Sequence, residues 1–186
     1  MHPCFFGYGS LVNRATHNYV EASRAQLGGW RRRWVHTQDR GIAFLSVVPD
    51  SETTIDGLIA EVPNADWLAL DEREYGYARI SSKGAVKHPR DPATVISHYS
   101  VPKETWVDIQ NHRIPLSYLD VVVQGYLREF GAAGVSNFFA TTDGWETPVL
   151  NDRAAPTYPR KQILSAQETA LVDQHLALRG CTIVTD

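Results

Sequence analysis

Two periodicities alternate along the chain. Near its start, Cys4, Phe5 and Phe6 run into Gly7-Tyr8-Gly9-Ser10, the pattern of a short buried strand that breaks into a tight loop. Residues 13–24 are mixed and predict a helical turn or two. Residues 42–48 are rich in β-formers. Residues 53–62 then set Ile55, Gly57 and Ile59 against Asp56, Leu58 and Ala60 until Pro63 ends the run. Asn64 is the expected N-cap of a short helix reaching Glu74, with Asp66 in its first turn. Residues 75–81 and 95–101 predict two further strands around a turn region holding Pro89 and Pro92.

Residues 116–130 predict the best helix, because Leu119, Val122, Val123, Tyr126, Leu127 and Phe130 share one face. Gly131 and Gly134 are expected to break it, with a short helix over 135–141 beyond. Pro156 and Pro159 make residues 152–161 an ordered loop or a segment crossing the surface. Ser165, with Glu168 three positions on, forms a capping box for a last helix ending near Gly180. Strands fill the first half and helices the second. That order predicts an α+β fold with a mostly antiparallel or mixed sheet, not a doubly wound one.

Composition narrows the class. The 186 residues are 43% hydrophobic and 21% charged, with a mean hydropathy of −0.28. They suit one globular domain over residues 1–186, able to bury about 70% of its unfolded surface. A net charge of −3 argues against non-specific nucleic-acid binding, which draws most of its affinity from a basic surface. Cys4 and Cys181 lie at opposite ends and form neither a metal spacing nor a disulfide framework, so a reducing compartment is expected. No apolar run approaches the roughly 18 residues of a membrane span. The N-terminus lacks a basic start and a full hydrophobic stretch, so no signal peptide is expected and the cytoplasm is the simplest location.

The loop at Gly7-Tyr8-Gly9-Ser10 invites comparison with known glycine-rich motifs. A dinucleotide fingerprint needs a third small residue where Val12 stands, and an acidic residue ending a second strand, which Glu21 does not do. A Walker loop lacks its Gly-Lys-Ser/Thr, and a nucleophile elbow needs glycine where Tyr8 and Val12 stand. What remains is a loop whose glycines let backbone N–H groups approach a carboxylate or a developing oxyanion, with Ser10 adding a hydroxyl. A plain structural turn fits the local pattern equally well.

Glu74 is the second candidate. On the expected helix Trp67, Leu70 and Glu74 stand at i, i+3 and i+7, so the carboxylate follows the apolar stripe and lies at the negative end of the helix dipole. Burial and dipole both raise its pKa toward that of a general base. Glu72 lies on a different, solvated face. The competing reading pairs Glu74 with an arginine and nothing more. The seven histidines show no helical metal spacing, so no metal is expected. In Trp30-Arg31-Arg32-Arg33-Trp34, strand alternation puts Arg31 and Arg33 on one face and Arg32 with the tryptophans on the other. A solvated or salt-bridged face fits better than an RNA-binding stripe.

Taken together, Phe6-Gly7-Tyr8-Gly9-Ser10-Leu11 and Leu70-Asp71-Glu72-Arg73-Glu74-Tyr75-Gly76-Tyr77 resemble the γ-glutamylcyclotransferase superfamily, which includes γ-glutamylamine cyclotransferases and ChaC-type enzymes. Weaker echoes are Trp30 to Trp34, the Asp39-Arg40-Gly41 turn and the stretch from Gly134 to Phe139. Two features depart from the ChaC branch: Tyr75-Gly76-Tyr77 is one residue tighter than its Gly-Gly-Tyr ending, and Phe138 and Phe139 stand where that branch has a tyrosine. Residues 151–159 match nothing in the family pattern.

The resemblance implies a small twisted mixed β-barrel or sheet with flanking helices. It implies a reaction in which a substrate's α-amine attacks its own γ-glutamyl carbonyl, giving 5-oxoproline and releasing an amine, amino acid or peptide. Tyr8, Gly9, Ser10 and Leu11 would hold the γ-glutamyl head, with Glu74 as acid/base and no cofactor or metal. The implied partner is a small γ-glutamyl compound rather than nucleic acid or a membrane. The departing group and the oligomeric state stay open. The alternative is a non-catalytic module that uses the same cavity to bind a small molecule.

Overall fold

The computed structural model describes residues 2–38, 41–108 and 112–185; Asp39 and Arg40 of the expected turn lie outside them. The strands are β1 (Cys4–Gly7), β2 (Ser23–Val35), β3 (Phe44–Glu61), β4 (Ala78–Ser81), β5 (Val86–Lys87), β6 (Ile96–Ser100), β7 (Ile114–Pro115), β8 (Thr142–Asp143), β9 (Val149–Leu150) and β10 (Ile183–Val184). The helices are α1 (Trp67–Arg73), α2 (Leu116–Ala140) and α3 (Ala166–Leu178). Seven strands form one mixed, curled sheet in the order β4-β6-β1-β3-β2-β5, with β8 also pairing with β2. A second, all-parallel sheet runs β10-β9-β7. The α+β expectation holds.

The two β-rich runs expected at 42–48 and 53–62 are one strand. β3 continues through Pro49 because β2 pairs with it along its length, from Ser23↔Ile59 to Val35↔Phe44. The register shifts between Gly28 and Trp30, so an irregularity absorbs the proline where regular pairing would expel it. At the far end β1 lies between β3, antiparallel, and β6, parallel. Cys4 and Phe6 join one core cluster and Phe5 the other, so β1 is covered on both faces.

Three other expectations shift. Asn64 is not the helix cap. It sits in a 3-10 turn at φ 54°, and Asp66 caps α1 by accepting the Leu68 N–H at 3.0 Å. Both residue types cap well, and only the turn set by Pro63 decides between them. The strand expected from Tyr75 begins at Ala78, because Gly76 at φ 91° makes 75–77 a turn. In α2 the break falls at Gly131 alone, whose φ 68° and ψ −170° suit only glycine. Gly134 lies inside the second half of α2, where a Cβ would sit 2.1 Å from that of Phe130. It permits close packing rather than ending the helix.

One core joins Leu27, Val47, Ile55 and Ile59 of the sheet to Leu119, Val122 and Tyr126 of α2 and to Val172 and Leu176 of α3. The capping box of α3 is present as expected from Ser165 and Glu168. A smaller cluster of Phe5, Leu11, Ala60, Val62, Leu70 and Tyr99 holds α1 down through Leu70. That pinning brings the C-terminal end of α1 to the loop that leaves β1.

Candidate active site

The loop after β1 is held from below. The Tyr8 carbonyl accepts from Arg32 Nε at 3.2 Å and from the Tyr126 hydroxyl at 2.9 Å. Tyr8 turns its own hydroxyl inward to donate to the Tyr99 carbonyl at 2.7 Å. Ser10–Val12 form a 3-10 turn, and Asn13 fastens it to α2 by donating to the Val121 carbonyl and to Gln124 Oε1. A turn of this kind leaves its first N–H groups without acceptors in the turn itself. Gly9 has a steric reason: a Cβ there would stand 2.6 Å from the Tyr118 hydroxyl. The Ser10 N–H donates to that same hydroxyl.

Arg32 corrects the reading of the basic run. Arg31 pairs with Asp143 at 2.7 Å, as a salt-bridged face requires, and Arg33 is exposed over the Trp106 ring. Arg32 is instead fully buried. Its guanidinium donates to the carbonyls of Tyr8 and Asp56 and to the hydroxyls of Thr141 and Tyr126, and lies over the rings of Tyr126 and Phe138. Only one of the three arginines is left exposed, so no cationic stripe exists.

Glu74 follows the last residue of α1, its N–H bonded to the Leu70 carbonyl. Its side chain is 19% exposed and 3.2 Å from Arg73 Nε. Burial pushes its pKa above the ordinary value of 4.5, and the nearby cations Arg73 and Arg160 oppose that rise. Glu74 thus has the arginine partner of the simpler reading. It also faces the loop.

Phe6, Gly7, Tyr8, Gly9, Ser10, Leu11, Leu45, Glu74, Tyr77, Tyr99 and Tyr118 enclose a niche of about 30 Å³. Ser10, Leu45, Glu74, Tyr77 and Tyr118 also line an adjoining chamber of about 340 Å³. All five residues singled out in the sequence therefore meet around one niche. Tyr8 and Leu11 do so as buried residues, beside Gly9, Ser10 and Glu74. The niche has room for about one water. A glutamyl head must lie across its mouth, reaching into the chamber.

Sequence reasoning missed the chamber's other walls. Tyr77 and Tyr118 bring hydroxyls, and Thr157, Tyr158, Pro159 and Arg160 come from the segment that matched no family pattern. That segment is anchored by the buried Asp152. Its carboxylate accepts from the N–H and hydroxyl of Ser117 at 2.7 and 2.6 Å, and from those of Thr157 at 2.9 and 2.6 Å. Phe138 and Phe139 line neither space; they pack against Arg32, Trp145 and His175. Among the described residues, no group of three His, Cys, Asp or Glu side chains is placed to hold a metal ion.

A model of the ChaC-like protein family matches residues 4–110, more than half of the chain and including both the loop and Glu74. The chain belongs to the ChaC-like family. Its fold is shared by solved structures of low sequence identity. A γ-glutamyl cyclotransferase superposes with a TM-score of 0.56 at 12% identity, over 94% of this chain and 99% of the other. An uncharacterised human protein gives 0.55 at 13% identity, over 91% and 97%. YkqA from Bacillus subtilis gives 0.54 at 17% identity, over 77% of this chain and 56% of its own. A search of curated protein sequences returned no match. Among the described residues, no helix of this ChaC-like protein is long and apolar enough to cross a membrane.

Proposed function

We propose that this ChaC-like protein cyclises the γ-glutamyl group of a small substrate to 5-oxoproline, with Glu74 as the general acid/base. The observation that carries the reading is the meeting of a buried carboxylate and the glycine loop around a single niche. Nucleophile and electrophile belong to one molecule, so the protein's first task is to hold the substrate folded. Glu74 takes a proton from the α-ammonium, and the freed amine attacks the γ-carbonyl carbon. The backbone N–H groups at Gly9 and Leu11 meet the charge that develops on the carbonyl oxygen, a role in which one donor is worth about 3 kcal/mol. As the C–N bond to the departing group breaks, Glu74 gives its proton to the leaving nitrogen, and the freed carboxylate takes the surplus proton that the new ring nitrogen sheds.

Arg73 has a supporting place in this scheme. It lines the chamber beside Glu74 and keeps Nη2 buried without an acceptor among the described residues. That charge suits the α-carboxylate of the head, which must lie next to the amine that Glu74 serves. Because residues 157–160 supply chamber wall to a niche built from residues 6–11 and 74, we treat residues 1–186 as one working domain.

The test is 5-oxoproline release from a panel of γ-glutamyl compounds by the purified protein and by Glu74→Gln. The wild type should turn over at least one compound. The variant should lose activity about 10²–10⁴-fold, the usual contribution of a general base, while keeping its thermal stability and its affinity for the substrate. Near-normal turnover by the variant removes Glu74 from the role. Binding without turnover by the wild type favours the non-catalytic module.

A further inference from the structure

The reaction just proposed leaves open what departs. The chamber beyond the niche is the place where a departing group must lie, and among the described residues no carboxylate but that of Glu74 lines it. Ile42, Phe44, Tyr75, Tyr158 and Pro159 make its walls largely apolar and aromatic. Against them stand, among the described residues, two cations with different surroundings. Arg73 is engaged, bonded to Glu74 and to the Thr16 carbonyl and lying 5.6 Å over the Tyr19 ring.

Arg160 is not. It lines the chamber but not the niche, its residue is exposed, and its guanidinium has no hydrogen bond or ion pair with any described residue. Nor is its placement incidental. The buried Asp152 carboxylate ties Thr157 to the start of α2, three residues before Arg160. Tyr158, two residues before it, packs edge-on against Tyr118 at 5.0 Å.

We propose that Arg160 pairs with a carboxylate on the departing half of the substrate, which makes the substrates γ-glutamyl amino acids or peptides rather than γ-glutamyl amines. A guanidinium offers two parallel N–H donors matched to the two oxygens of a carboxylate, and neither an alkylamine nor an amide fills that fork. The head's own α-carboxylate is a different ligand. It is bonded to the carbon that carries the attacking amine, so it stays beside Glu74, which Arg73 contacts at 3.2 Å, whereas Arg160 makes no hydrogen bond or ion pair with Glu74. The inference rests on the reading of the niche as a γ-glutamyl site, and binding measurements separate the two.

The experiment uses Glu74→Gln, which holds substrate without consuming it. Calorimetric titration compares γ-glutamylalanine with γ-glutamylalanine amide, two compounds that differ only by the terminal carboxylate. Glu74→Gln should favour the acid by about tenfold, the worth of one charge-assisted pair in a half-open site. Adding Arg160→Gln should remove the preference by weakening the acid alone. Arg160→Lys should retain part of it.

Equal binding of acid and amide, or a preference that survives Arg160→Gln, overturns the proposal. Equal weakening of both compounds by Arg160→Gln also overturns it, since Arg160 would then hold the head. Failure to bind either compound overturns this assignment and the γ-glutamyl reading together. If the preference is found but the wild type releases no 5-oxoproline, Arg160 keeps its role and Glu74 loses its own. If turnover is found without the preference, the reverse follows. An exposed side chain with no hydrogen bond or ion pair among the described residues should leave the melting temperature unchanged on substitution, so a folding defect does not obscure the result.

Discussion

Arg32→Met removes a buried cation to which no carboxylate among the described residues is bonded, so two large effects oppose each other. Relief of the arginine's desolvation favours the variant by several kcal/mol. Against this, the guanidinium donates to four oxygens, those of Tyr8, Asp56, Thr141 and Tyr126. Hydrogen bonds to a charged group contribute about 1.5–3 kcal/mol each. The Tyr126 hydroxyl lies within reach of both the Tyr8 and Asp56 carbonyls, at 2.9 and 2.8 Å, but can donate to only one. The other carbonyl is then left without its guanidinium donor, and the rings of Tyr126 and Phe138 lose their cation.

The donor side wins, and the expected net loss is about 3–5 kcal/mol. For a chain of this length that corresponds to a fall in melting temperature of about 6–20 °C. Calorimetric unfolding of the wild type, Arg32→Met and Arg32→Lys reads the value. The lysine variant should recover only a fraction, since one ammonium cannot span all four acceptors. A methionine variant within about 1 kcal/mol of the wild type refutes the reasoning. It would mean that Tyr126 alone fixes the loop.

Further outcomes concern the niche. Glu74 is held above its ordinary pKa by burial, and it acts as a base only when ionised, so kcat/KM should rise with pH through that elevated value. Folding stability should show the opposite trend. The native state keeps the Glu74 proton longer than the unfolded chain, so this group's contribution declines between its unfolded pKa and its folded one. Glu74→Gln should lose that decline in urea titrations at several pH values. Arg73→Gln removes the nearest cation opposing the shift, so the rising limb of kcat/KM should move to higher pH; an unmoved limb rejects the electrostatic account. Gly9→Ala drives a methyl group to 2.6 Å from the Tyr118 hydroxyl, which should lower kcat/KM about tenfold or more. Adding Tyr118→Phe should recover part of the loss, and a silent Gly9→Ala variant reduces the loop to a structural turn.

Local chemistry made part of this architecture legible. Gly131 ends a helix wherever it stands in such a context, and the box of Ser165 and Glu168 opens one. Glu74 was visible because helix spacing ties it to Leu70, a core residue. The rest depended on distant partners. Strand alternation puts Arg32 on the face of Trp30 and Trp34, away from Arg31 and Arg33, but nothing near it in the chain shows that this face buries a cation. The difference comes from Tyr126 and Thr141, about a hundred residues away, which accept its protons. Pro49 lies mid-strand only because β2 shifts register opposite it. Tyr118 and Arg160 reach the chamber through helix packing and through the buried carboxylate of Asp152, and neither leaves a signature at its own position.

The anchoring of residues 152–160 by a single aspartate divides the labour of the chamber between two stretches of chain. The carboxylate and the loop come from the part that the family model matches, residues 4–110, whereas Thr157 to Arg160 lie beyond it. Preference for one departing group over another can therefore drift, or be re-engineered, by rewriting a few positions near the C-terminal end while Asp152 keeps its grip on α2. The bond-making residues would not have to change.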